Sequence, residues 1–330
     1  MTALAGFEMI LPFLKPIEHL ILDPTISEIM VNGGRQVFIE RSGELSEVPE
    51  AHIEEKSLLV AVRNIARRLG DDISETRPIL DSRLPDGSRI AAVVPPCSLG
   101  GVTLTIRKFV SRDFKMKDLV QIGTLDAGLA VLLREQLLER RNILISGGTG
   151  VGKSTMLGIL GSEIPDEDRI VLIEDTAEIH LNKRNLVRFE ARQPQPGAPG
   201  VTVRELLKAT LRHRPDRIIL GEIRGGEAFD LLQLLNTGHS GTLSTIHANS
   251  AQQALARLAN CVLQSGIDLP YKAIKSNIAD SVDLVVQLER RSGMRRVSEA
   301  LSVRGYDLQK DEYRLEQRYG ANSKAVAGHD

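Results

Sequence analysis

Residues 147–154, "GGTGVGKS", constrain this chain more than any other stretch. They fit G-x-x-x-x-G-K-[ST] in full, between the apolar run "RNILIS" and a helical pattern that closes near Pro165. A strand, a glycine loop and a helix in that order let backbone N–H groups converge on phosphate oxygens at the positive end of the helix. The expected phosphate cradle is Gly147, Gly148, Thr149, Gly150, Val151, Gly152, Lys153, Ser154 and Thr155. In such a loop the lysine, here Lys153, reaches the β- and γ-phosphates, and the Ser154 hydroxyl ligates Mg²⁺. The expected ligands are therefore ATP and Mg²⁺.

The fold class follows from what surrounds the loop. "RIVLIED", "RIILGE" and "GTLSTIH" are short buried-strand runs separated by helical spacing, and Thr202 with Glu205 makes a capping box for "VRELLKATLRH". This alternation predicts an α/β domain with a mainly parallel sheet, over residues 123–320. Residues 282–319 read as antiparallel strands. Ahead of it, residues 1–108 read as a smaller α/β domain. Hairpin strands follow one another from Ile26 to about Val48, with Asn-Gly and Ser-Gly turns. A helix over 52–69 places Leu58, Val62, Ile65 and Leu69 on one face and stops at Gly70, and further strands are broken by Pro85-Asp86-Gly87 and Pro95-Pro96. Residues 109–122 are aperiodic and read as a linker, and 321–330 as a disordered tail.

Candidate chemistry gathers at the ends of the parallel strands. Side chains at the carboxyl ends of neighbouring strands converge on a shared crevice. Glu174 and Asp175 in "IEDTAE", and Glu222 one strand along, are thus placed to orient Mg²⁺ or an attacking water. Gly221, ahead of Glu222, cannot supply the carboxylate that many phosphate-loop enzymes carry there. Arg224 is expected in an ion pair with Glu222. His247 ends a strand on the nucleotide side, where an imidazole could sense the γ-phosphate; His239 lies between Gly238 and Gly241 in a loop read as mobile. The two histidines lack a metal-binding spacing, and Cys97 and Cys261 are too few and too far apart for a disulfide scaffold or a four-cysteine zinc site.

"GGTGVGKST", "IEDTAEI", "RPDRIILGEIRGGEA" and "GHSGTLSTIHANS" together resemble the four ordered boxes of the secretion and pilus motor ATPases. "LPDGSRIAAVVPP" and "LTIRKF" extend the resemblance over about residues 20–300. Gly-Glu in place of Asp-Glu is similar to that family's own second nucleotide box. Lacking a four-cysteine zinc module, the compact chain looks like the type IV secretion, conjugation and Tad-pilus branch. The resemblance implies a RecA-like domain preceded by a PAS-like one, and a homo-hexamer with nucleotide held between domains. It implies a cytoplasmic protein peripheral to the inner membrane, working on a membrane platform partner of the secretion or pilus system. It also implies that Lys153 and Ser154 bind phosphate and metal, with Glu174 as first choice of general base. Glu222 would organise Mg²⁺ through water, and Arg89 and Arg107 would close on the phosphates.

Two other functions stay open at this level. A nucleic-acid translocase on the same core would want a basic, aromatic-lined channel. Aromatics are 3% of the chain, tryptophan is absent and the net charge is −1, so direct nucleic-acid binding is not expected. A nucleotide-gated scaffold would bind ATP without turnover. The N-terminal segment mixes Glu8, Pro12, Lys15 and Pro16 into its apolar residues, unlike a signal peptide, and no run of uncharged apolar residues reaches bilayer-spanning length.

Overall fold

The computed structural model describes residues 7–41, 43–108, 114–192, 194, 199–291 and 293–320. The expected tail at 321–330 and most of the linker's first half fall outside them. The chain divides into two compact units, Met1–Arg112 and Asp113–Asp330.

The first unit is a six-stranded antiparallel sheet ordered β3-β2-β1-β6-β5-β4. A short helix α1 (Glu18–Leu22) precedes β1 (Ile26–Asn32), β2 (Gln36–Arg41) and β3 (Glu44–Glu47). Helix α2 (Glu55–Arg68) then leads to β4 (Ile79–Arg83), β5 (Arg89–Val93) and β6 (Thr103–Arg107). Helix α2 buries Leu58, Ala61, Val62, Ile65 and Ala66, the one-sided stripe its spacing predicts. Gly70, at φ +76°, ends it as expected. The N-terminal residues contribute Phe7, Ile10, Leu14 and Ile17 to this core through short 3₁₀ turns.

The second unit begins earlier than the sequence suggested. Residues 116–121, read as linker, form helix α3 (Met116–Gln121), at whose start the Lys115 backbone N–H donates to Asp118 Oδ2 at 2.8 Å and whose Leu119 is buried in this unit's core. One buried leucine in a six-residue helix is too short a pattern to show periodicity. There follow α4 (Ala127–Leu138), β7 (Ile143–Gly147), α5 (Lys153–Ser162), β8 (Ile170–Glu174), β9 (Leu186–Glu190), α6 (Val203–Thr210) and β10 (Arg217–Ile223). The chain continues through α7 (Glu227–Asn236), β11 (Leu243–His247), α8 (Ala251–Leu263) and α9 (Tyr271–Ser281) to β12 (Leu284–Arg291), β13 (Met294–Asp307) and β14 (Glu312–Tyr319).

Its eight strands run β14-β13-β12-β7-β11-β10-β8-β9. From β12 to β9 every neighbour pair is parallel; the β12–β13 and β13–β14 pairs are antiparallel, so among these strands β13 alone runs against the rest. Strand β12, expected with the antiparallel group, therefore pairs parallel with β7 on its other side. All five residues of β7 and of β8 are buried, as continuous apolar runs require in a sheet covered on both faces. Two hydrophobic clusters fill those faces. The chain leaves β7 for β8 three places away, and β10 and β11 later fill the gap. The crevice at the carboxyl ends of β7, β11, β10 and β8 is a topological switch point, the usual ligand site of such sheets.

The opposite, amino-terminal edge of the sheet is held by a buried charge network. Arg217, 2% exposed, donates from Nε to Asp168 (2.7 Å) and from a guanidinium nitrogen to the Leu137 carbonyl (3.0 Å). Arg140 holds the other Asp168 oxygen at 2.6 Å. Gly241 sits at φ +81°, where a Cβ would stand 2.0 Å from the Arg217 guanidinium, so that position must be glycine. The His239 loop belongs to this edge. The His239 N–H donates to the Leu234 carbonyl and its own carbonyl accepts from the Thr242 hydroxyl, far along β11 from His247.

Candidate active site

Strand β7 delivers the loop. Gly147 (φ +157°) passes so close to β12 that a Cβ would meet the Leu288 carbonyl oxygen at 2.7 Å. Gly150 (φ +71°) and Gly152 (φ +99°) take left-handed conformations that turn the backbone into a concave nest. Val151 points inward and anchors the loop in the core. Helix α5 has no side-chain cap at Gly152, so its first N–H groups stay available to an anion. Lys153 is 8% exposed, with Nζ donating to the Gly148 (2.7 Å) and Gly147 (3.1 Å) carbonyls. Burial holds its pKa below the ordinary lysine value, against the attraction of Glu222. Ser154 follows on the first turn of α5, half-buried, while Thr149 and Thr155 are exposed.

The carboxylates divide into two kinds. Glu174 is 3% exposed, and its Oε1 accepts from the backbone N–H groups of Glu178 (2.7 Å) and Ile179 (2.8 Å). Its Oε2 faces Arg188 of β9 at 3.5 Å. Burial pushes the carboxyl above its ordinary value, and those N–H groups and Arg188 pull the other way. Both Glu174 oxygens are thus engaged in holding the chain after β8. Glu222 is different. Its Oε2 accepts from Arg224 Nε at 2.7 Å, and Arg224 also reaches Asp175 at 2.9 Å. Its Oε1 is buried, with no backbone or arginine donor on it.

His247 Nε2 lies 2.8 Å from that Oε1 and 3.3 Å from Lys153 Nζ. Partial burial and the Lys153 charge hold the imidazole below its ordinary pKa, so it stands neutral between the cation and the carboxylate. The 2.8 Å approach is therefore that of a neutral Nε2–H toward the carboxylate rather than an ion pair, and Oε1 keeps room for a second donor.

Gly221 now has a physical reason. On β10, Leu220 pairs with Ser244 and Ile223 with Ile246, so β10 carries one extra residue across Gly221–Glu222. That is a β-bulge, a device that re-aims a side chain beside a site. The Thr245 hydroxyl donates to the Gly221 carbonyl at 2.7 Å and ties the bulge to β11. A Cβ at Gly221 would stand 3.1 Å from Glu174 Cγ, tighter than ordinary contact. The missing side chain makes room for the Glu174 anchor, and the bulge turns Glu222 toward the loop.

Lys153, Glu222 and His247 are thus brought together, with Asp175 joined through Arg224 and Glu174 one layer behind. Arg89 and Arg107 belong to the first unit, where they are cross-strand neighbours on β5 and β6. Arg89 pairs with Asp81 at 3.1 Å and Arg107 with Glu28 at 3.3 Å. Sequence reasoning missed three participants. Arg188 lies on β9, a half-exposed edge strand with no clean alternation. Gln287, 5% exposed, accepts from the Ser146 hydroxyl behind the loop and donates to the Ala248 carbonyl at 3.3 Å, bracing the end of β11 against β7. Arg295 donates to the Gly150 carbonyl at 3.0 Å. A glutamine inside the buried run "LVVQL" was the only available signal.

The profile of the type II/IV secretion system protein family matches residues 13–322. The chain belongs to that family. It is 37% identical over 289 residues to the conjugal transfer protein TrbB of Rhizobium radiobacter, covering 86% of this chain and 85% of that one. To the type IV secretion system protein PtlH of Bordetella pertussis it is 37% identical over 299 residues, 81% of this chain and 86% of that one. Among solved structures, the ATPase DotB of Legionella pneumophila superposes with a TM-score of 0.60 at 20% identity, over 87% of this chain and 79% of that one, a likeness of fold. The relatives fall on the type IV secretion and conjugal-transfer side of the family. No helix among the described residues is long and apolar enough to cross a membrane.

Proposed function

We propose that this protein is a Mg²⁺-dependent ATPase that drives a type IV secretion or conjugation machine, as a homo-hexamer at the cytoplasmic face of the inner membrane against a membrane-embedded partner. The observation that carries the enzymatic part is the convergence of Glu222, His247 and Lys153 beside a glycine nest, with Glu222 Oε1 2.8 Å from His247 Nε2 and that nitrogen 3.3 Å from Lys153 Nζ. A buried carboxylate oxygen accepts more than one hydrogen bond, and a water or hydrated cation would complete it.

The residues present fit both ligands. The loop amides and Lys153 would hold the phosphates, and Ser154 and Glu222 are the residues that would hold Mg²⁺. When bound, Mg²⁺ neutralises charge on the β- and γ-oxygens. Glu222 orients the attacking water and takes its proton as the bond from the γ-phosphorus to the β–γ bridging oxygen breaks, giving ADP and phosphate. His247, neutral between Lys153 and Glu222, keeps the carboxylate pointed at the water and registers loss of the γ-phosphate. Glu174, the first choice of base on sequence grounds, is here a positioning residue that anchors the loop beyond β8. Arg89 and Arg107 are kept here as the phosphate donors that the family resemblance implies; phosphate contacts that exist only with ATP bound would turn hydrolysis into movement.

Two measurements test this. Steady-state hydrolysis per subunit, followed over a wide range of protein concentration with a sizing run alongside, should rise as rings assemble. Glu222→Gln should bind Mg-ATP as the parent does and lose turnover by about 10²-fold or more. A near-parental rate in that variant would show that Glu222 is only structural, and ATP bound without turnover by the assembled parent would favour a gated scaffold.

A further inference from the structure

The strands flanking β7 give the loop two unlike sides. Glu222 and His247 come from β10 and β11 on one side, and the β12–β13 hairpin stands on the other. Leu288 pairs with Gly147, so the hairpin beyond it rises past the loop. Arg295 is on that overhang. Its side-chain stem runs over Gly152, where a Cβ would lie 3.5 Å from Arg295 Cδ, and its Nε donates to the Gly150 carbonyl at 3.0 Å. That bond fixes the guanidinium plane against the loop. Neighbouring Arg296 is engaged by Glu289 at 2.7 Å. Arg295 is exposed and, among the described residues, pairs with no carboxylate. A cation left unpaired and pinned by one edge keeps its flat face and terminal nitrogens for something else.

We propose that Arg295 is the planar contact for the base of the bound nucleotide. The inference rests on the nucleotide-site reading above. With the γ-phosphate directed to Glu222 and His247, the nucleoside end of a triphosphate threaded through the loop emerges on the opposite flank, over the hairpin. A nucleobase held there needs a flat partner. The chain has no tryptophan; Phe189, Phe229, Tyr306 and Tyr313 pack with the cluster built around α7, α8 and α9, and Phe114 and Tyr319 are packed against the cluster on the other face. A guanidinium stacks on a base face and is weakly hydrated, which suits it to this work.

The test compares ligands with and without a base on the full-length protein. ADP and inorganic tripolyphosphate are titrated against the parent, Arg295→Ala and Arg295→Lys by calorimetry. Stacking predicts that Arg295→Ala weakens ADP by about tenfold while tripolyphosphate stays within about twofold. Arg295→Lys should resemble the alanine variant, because it restores charge but not the plane. Equal weakening of both ligands would make Arg295 a phosphate or loop-shaping residue and overturn the proposal. Full recovery by lysine, or no change for either ligand, would overturn it too. A parent that binds neither ligand would instead sink the nucleotide-site reading itself.

Discussion

Replacing Gly221 by alanine tests the central packing argument. The new Cβ would stand 3.1 Å from Glu174 Cγ and 3.5 Å from the Ile173 carbonyl oxygen. Glu174 must therefore give by a few tenths of an ångström, although its Oε1 is pinned by two backbone N–H groups and the residue is 3% exposed. Overpacking of this kind costs about 1–3 kcal/mol. Against it stands a gain of about 0.4–1 kcal/mol from a stiffer unfolded chain, because Gly221 is not among the positive-φ glycines. The net expectation is a loss of about 1 kcal/mol, or about 2–4 °C in the melting temperature of a domain this size. Scanning calorimetry reads it, in the transition that ATP shifts upward. In a Glu174→Ala background the clash is gone, and the same substitution should become neutral or mildly stabilising. A melting temperature unchanged or raised in the parent background would refute the claim that Gly221 exists to accommodate Glu174.

The amino-edge network and the imidazole give two more expectations. Asp168→Ala leaves Arg217 buried without its carboxylate, and breaking such a pair from one side costs about 3–5 kcal/mol; a loss below about 1 kcal/mol in chemical denaturation would show that the Leu137 carbonyl alone satisfies Arg217. His247 has a folded pKa held below its ordinary value of 6.5 by burial and Lys153. The unfolded chain then binds the proton first, so its contribution is full above about pH 6.5 and is lost as pH falls toward the folded value. The stability-versus-pH curve should accordingly flatten over that window in His247→Gln, and curves of identical slope would remove His247 from the pH response.

The parts of this protein that the sequence made legible are those encoded within a single element. The glycine loop, the capping box at Thr202 and Glu205, and the stripe of α2 each need only local spacing, and all appear in the fold. What stayed hidden depends on which strand lies beside which. Glu174 and Glu222 both read as strand-end carboxylates, with Glu174 the first choice of base; the bulge on β10 and the Glu178 and Ile179 amides give them different surroundings. No spacing rule shows that Arg188, fourteen residues beyond Glu174, returns to it through β9, or that Arg295 reaches a loop carbonyl from the far hairpin.

The same dependence on neighbours explains the dipeptide Gly221-Glu222. An aspartate at the first position would sit where the Cβ of any residue already crowds Glu174, and it would add a second carboxylate to a buried one whose charge burial already penalises. An enzyme that anchors its β8 loop with a buried glutamate must therefore keep the next strand's first site residue small and uncharged. In the function proposed above, the water chemistry then falls to Glu222, whose Oε1 is touched by the His247 imidazole and not by a backbone anchor. On this reading Gly221 is the counterpart of Glu174, and the two should change together or not at all.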